Sequence, residues 1–92
     1  MTDILQRSFF ASPDAVESAV GNETVILHLE NGTYYGLDEV GTRIWALVKE
    51  GVASPDICLT LSDEFRVELA TIEADARHFF GELQKQGLLI EK

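Results

Sequence analysis

The sequence predicts an α+β domain, a three-stranded antiparallel sheet followed by a three-helix bundle. Three observations carry that expectation. Thr24–Leu29 is rich in β-branched and leucine residues, Asn31-Gly32 is a strong hairpin turn signal, and Thr33–Leu37 returns as a second strand. Asp38 follows directly, where its carboxylate can accept a first-turn N–H and its charge suits the positive end of a helix dipole. From there to Gln86 the apolar residues recur at three- and four-residue steps, punctuated by Gly51 and by Ser54-Pro55.

Taken in order, residues 1–7 read as a frayed start, since chain ends stay ordered only when something ties them down. Ser8-Phe9-Phe10-Ala11 is an apolar group read as a short edge strand, ended by the turn residues Ser12-Pro13-Asp14. Ala15–Val20 reads as a loop with one possible short strand. A two-residue Asn31-Gly32 turn would set Leu29 opposite Tyr34, Leu27 opposite Gly36 and Ile26 opposite Leu37. One hairpin face then carries Val25, Leu27, Leu29 and Tyr34, the other Ile26, His28, Tyr35 and Leu37. Both faces are apolar, which implies cover on both, by helices on one side and by the first strand or a ligand on the other.

Glu39–Glu50 is the first helix, with Val40, Ile44, Leu47 and Val48 on one stripe, Trp45 beside it and Gly51 as terminator. The second starts at Ser54-Pro55-Asp56, with a capping serine and proline at the first position, and turns Ile57, Cys58, Leu61 and Phe65 inward. The third begins within Val67–Thr71 and runs to Gln86, with Ile72, Ala76, Phe79, Phe80 and Leu83 as its inner stripe and Gly87 beyond its end. Leu88-Leu89-Ile90 is an apolar tail tucked against the core. The helical portion is winged helix-turn-helix-like.

Length and charge bound the function. At 92 residues the chain is one domain, and 46% hydrophobic with 25% charged residues is an ordinary globular composition. Sixteen acidic against seven basic side chains give a formal net charge of −9, a field that repels phosphate backbones. No apolar run suffices to span a bilayer and the N-terminus lacks the pattern of a signal peptide, so a cytoplasmic protein with no membrane or nucleic-acid partner is expected.

Candidate chemistry is sparse. Cys58 lies between apolar residues with no base in view and reads as core. His28 and His78, without a companion cluster, read as surface or half-buried residues rather than metal ligands, so no metal and no cofactor is expected. Asp38 and Glu39 are explained by capping. Gly36 is more informative, because glycine within a strand often marks the close approach of another backbone. Glu64, Glu68, Glu73 and Asp75 crowd the start of the third helix, where carboxylates beside a groove would favour a basic ligand.

The run YYGLDEVGTRIW, together with the late helix ending ELQKQGLL, resembles the PqqD-like family, also called RiPP recognition elements, over nearly the whole chain. The wording around DEVGTRIW is most similar to the stand-alone leader-peptide-binding chaperones of lasso-peptide biosynthesis. The resemblance implies a non-enzymatic module that captures the leader of a ribosomally made precursor peptide by strand addition along Thr33, Tyr34, Tyr35, Gly36 and Leu37. Pockets along the third helix, at Ile72, Asp75, Ala76 and Phe79, would read alternate side chains of that peptide. It also implies two partners, the precursor leader peptide and a separate cysteine-type leader peptidase or other modifying enzyme. Two other readings share the architecture: a chaperone for a radical enzyme, as in pyrroloquinoline quinone biosynthesis, and a winged-helix DNA-binding regulator. The latter is disfavoured, because its recognition helix would carry Arg77 and Lys85 against Glu73, Asp75 and Glu82.

Overall fold

The structure is a computed structural model and describes residues 3–92. Five strands and three helices follow one another as β1 (Phe9–Ala11), β2 (Ala15–Val20), β3 (Glu23–His28), β4 (Tyr34–Leu37), α1 (Glu39–Lys49), α2 (Ser54–Phe65), α3 (Leu69–Lys85) and β5 (Leu89–Glu91). The expected class stands: a three-stranded antiparallel sheet precedes three helices. Its third member differs from expectation, however. The sheet order is β2-β3-β4, so Ala15–Val20, expected as mostly loop, supplies an edge strand, while β1 pairs with β5 in a separate two-stranded sheet. The tail expected to tuck in does so as that fifth strand, with Leu88 and Leu89 buried.

The hairpin register is shifted by two residues from expectation: Leu27 pairs with Tyr34, Ile26 with Tyr35, Val25 with Gly36 and Thr24 with Leu37. The cause lies in the loop. A two-residue turn of the expected type needs positive φ at both Asn31 and Gly32, but only Gly32 has it, at 72°. Asn31 instead uses its Oδ1 to accept the Thr33 N–H at 2.9 Å, and the His28 carbonyl accepts the Gly32 N–H at 2.8 Å, giving a longer loop over residues 29–32. Because the shift is an even number of residues, both face assignments survive. The inner face, with Ile26, His28, Leu37 and half-buried Tyr35, packs on the helices. The outer face is uncovered, with Tyr34 70% and Leu29 58% exposed, so the first strand does not shield it.

His28, expected near the surface, is buried at the loop base, where its Nδ1 accepts the Glu30 N–H at 3.2 Å. Its other ring edge lies so close to Gly87 (φ 75°) that a Cβ there would stand 3.2 Å from Nε2.

The helices wrap one core of Ile44, Trp45, Ile57, Leu61, Ile72, Ala76, Phe80 and Leu83, with Cys58 among them as expected. The Phe80 ring stacks on Phe9 at 5.2 Å, which docks β1 on α3. Burial, and next the charge of Glu73, raises the Cys58 thiol above its ordinary pKa, which suits a packing role. Ser54 does not cap α2. The N-cap position falls on Ala53, and the Ser54 hydroxyl, itself buried, donates to the Arg7 carbonyl at 2.9 Å. The start of the chain is tied down from Asp3 onward: residues Ile4–Gln6 form a 3₁₀ turn, and Asp3 binds Arg77 at 2.8 Å. Residues 1–2 of the expected frayed start lie outside the described residues. No helix among the described residues is long and apolar enough to cross a membrane.

Candidate functional site

The strand order leaves β4 as an edge, and ladder geometry says which of its groups are free. The His28 N–H donates to the Thr33 carbonyl at 2.9 Å. Hydrogen-bonded pairs alternate along an antiparallel ladder, so Tyr35 and Leu37 turn their main chain toward β3, and Tyr34 and Gly36 turn theirs outward. Both are exposed, and space for a Cβ on Gly36 is open.

Beside this edge runs a groove of about 410 Å³ between β4, the first turns of α1 and one face of α3. Its apolar floor consists of Leu37, Val40, Ile44, Phe79 and Leu83. Phe79 is half-buried, with its ring edge-on to Phe80 at 5.9 Å and 79°. It can lie this low because α1 carries Gly41 there: a Cβ would stand 3.2 Å from the Phe79 ring and 3.3 Å from Asp38 Oδ1. The same N-cap is closed by Asp38 Oδ1, which accepts the Gly41 N–H at 2.8 Å, as its place after β4 predicts.

The rim is polar. Tyr35, Asp38, Asp75, His78 and Glu82 border the groove, and among the described residues no lysine or arginine does. Burial, and next the charge of Glu82, raises the Tyr35 phenol above its ordinary pKa, so it stays protonated and able to donate.

Of the nine residues anticipated for the site, Tyr35, Gly36, Leu37, Asp75 and Phe79 line this groove. Tyr34 stands on the edge with its side chain on the outer face, and Thr33 lies just before the strand. Ile72 and Ala76 are buried beneath in the core, and present no side chain to the groove. Sequence reasoning missed Val40, Gly41 and Ile44 from α1 and His78, Glu82 and Leu83 from α3. Phe79, Glu82 and Leu83 share a helical face, a signal that was available. The α1 residues are lining only because the hairpin hands the chain straight into that helix. Of the four acids read as crowding the third helix, only Asp75 reaches the groove, while Glu64 is held by Arg43 at 2.7 Å.

Among the described residues no group of three His, Cys, Asp or Glu side chains is placed to hold a metal. The DNA-reading alternative also weakens, because Arg77, one of the two cations counted on α3, is occupied by Asp3 through Nε and Nη2.

A family model described as Coenzyme PQQ synthesis protein D (PqqD) matches residues 23–89, which take in β3, β4, all three helices and the start of β5. The chain belongs to the PqqD family. Two solved structures are similar to this family member. TbiB1 in complex with the TbiA(beta) leader peptide is 40% identical, with 87% of this chain and 93% of that chain covered at a TM-score of 0.82. Lasso peptide synthetase B1 complexed with the leader peptide is 22% identical, with 90% and 98% covered at the same TM-score of 0.82, a likeness of fold. Among curated proteins none matches this PqqD-family chain.

Proposed function

We propose that this chain is a non-catalytic module that binds the leader segment of a ribosomally made precursor peptide as an added strand on β4 and presents it to a separate processing enzyme. The observation that carries this reading is an open edge, at Tyr34 and Gly36, lying directly beside an apolar groove. An added strand gains main-chain hydrogen bonds from the edge while every second side chain drops into the groove. The 40% identical TbiB1, solved with a leader peptide, supports the same reading, and the resemblance around DEVGTRIW favours a lasso-type system over a radical-enzyme partner. The peptide runs antiparallel to β4.

The processing enzyme, a cysteine-type leader peptidase, has a surface available to it. Val16, Leu27 and Tyr34 form one row across the outer sheet face, with exposed Leu29 just beyond it on the loop side. A peptide strand on β4 would extend this face and point its own alternate side chains outward beside Tyr34. A partner seated there touches protein and bound peptide together.

Amide hydrogen exchange with the cognate leader peptide tests the binding mode. Tyr34 and Gly36 amides slow on addition of peptide, while Tyr35 and Leu37, already bonded to β3, change little. Binding that leaves Tyr34 and Gly36 unchanged would exclude strand addition.

A further inference from the structure

The geometry points to a peptide selectivity built into the groove: the bound strand carries a lysine or arginine two positions from its apolar anchor, and that cation meets Glu82 at the Tyr35 end. This inference rests on the peptide-binding reading above and adds the chemistry of the ligand.

Some acids elsewhere are neutralised within the chain. Asp3 binds Arg77, Glu17 binds Lys49, Glu64 binds Arg43 and Glu91 binds Arg7. In the groove, Asp38 is spent on the α1 N-cap. Asp75 and Glu82 have no ion-pair or side-chain hydrogen-bond partner among the described residues, and the lining supplies no lysine or arginine that could swing in.

The two carboxylates are not equivalent. They stand two turns apart on α3, about 10 Å along its axis, with Phe79 between them. Phe79 lies against Gly41 at the start of α1, whereas Glu82 lines the groove together with Tyr35 of β4. The groove is therefore an apolar chamber with one acid near each mouth. Glu82 is half-buried, and Asp75 is exposed.

A strand paired with β4 must point alternate side chains into the groove, about 7 Å apart. If one fills the floor formed by Leu37, Ile44, Phe79 and Leu83, the next inward side chain arrives at a mouth. An apolar residue there would strip water from Glu82 and return nothing. A lysine or arginine forms a charge-assisted hydrogen bond to it and reaches Tyr35 with its methylene stem. The net charge of −9 works in the same direction, speeding encounter with a cationic peptide.

The test is selection of random displayed peptides against the full chain and against Glu82→Gln, a change of shape small enough to keep the fold, with thermal melts as a check. Peptides selected by the wild type are expected to pair an apolar residue with a lysine or arginine two positions away. Those selected by Glu82→Gln keep the apolar residue and lose the cation. A synthetic peptide from the wild-type pool should bind Glu82→Gln about five- to tenfold more weakly, Glu82→Asp in between, and Asp75→Asn nearly as well as wild type. Raising salt from about 50 to about 500 mM should weaken the wild type more than Glu82→Gln. Apolar-anchored peptides recovered equally by both proteins without cation enrichment would overturn the inference and leave the groove reading intact. Peptides whose binding is indifferent to Phe79→Asp would overturn the groove reading itself.

Discussion

The sheet has two open edges, and they are built to opposite ends. Strand β2 (AVESAV) and strand β4 (YYGL) each pair with β3 on one side only, and neither contains lysine or proline. On β2, however, Glu17 points inward, where it accepts the Trp45 indole N–H at 3.1 Å and holds Lys49. An inward charge on an edge strand discourages another strand from pairing there, because a continued sheet would have to bury it. β4 has no such charge. Its inward side chains are Tyr35 and Leu37, and the space beside them is the groove. An open edge is thus no binding site by itself; it becomes one where the layer beneath leaves room for alternate side chains.

Trp45→Ala attacks the support under β2 and should have the largest effect. The side chain is 2% exposed, and its removal should cost roughly 3–5 kcal/mol of stability, read by urea unfolding. Leader affinity below the melting transition should stay close to wild type. Lost binding in the still-folded variant would mean that the two edges are coupled.

Glu17→Val unblunts β2 and orphans the Trp45 N–H. A loss of about 1–3 kcal/mol is expected, with concentration-dependent self-association in light scattering. A variant that stays monomeric would show that something other than Glu17 protects that edge.

Tyr34→Pro is aimed at β4. It deletes an outward N–H at the first position of the strand, where proline is tolerated, so the fold should survive. Leader affinity should fall about two- to tenfold by calorimetry, the worth of one main-chain hydrogen bond. Unchanged affinity would remove Tyr34 from the pairing.

Acid provides the finest discrimination. Burial raises the Glu17 carboxyl, but its bonds to Lys49 and Trp45 outweigh that and hold it below the ordinary carboxylate pKa. A group depressed in the folded state contributes stability above its unfolded pKa and loses it as pH falls through the folded value. Urea midpoints between neutral and acid pH should therefore fall further in wild type than in Glu17→Gln, by under about 1 kcal/mol, since the pair is partly solvated. Equal acid sensitivity would mean that the ion pair adds nothing to the β2 edge.

What the sequence made legible was whatever depends on short-range chemistry. The hairpin, the Asp38 cap, the helices with their Gly51 and Gly87 terminators, and the buried Cys58 all follow from neighbours a few residues apart. The register failed because the side chains of His28 and Asn31 take over turn hydrogen bonds that a propensity argument gives to the backbone. Strand partners failed for a different reason. Phe9–Ala11 looks like an ordinary edge strand, and nothing local says that its partner lies at Leu89–Glu91 rather than in the hairpin. The site was half visible: its β4 side followed from an edge without lysine or proline, but Glu82 and the α1 lining depend on how α3 crosses the sheet, a long-range result of Phe80 stacking on Phe9.

The β1–β5 pairing also sets an order of events during synthesis. Phe9–Ala11 leaves the ribosome well before Leu89–Glu91 and finds its partner only when that strand has followed, with a further bond of the clasp running from the Lys92 N–H to the Ser8 carbonyl at 2.9 Å. The hairpin and α1 can form on the nascent chain from contacts near in sequence, but α3 cannot receive Phe9 until it exists, and the clasp cannot close until α3 is complete. Until Leu89–Glu91 arrives, β1 has only the stacking of Phe9 on Phe80 to hold it against α3.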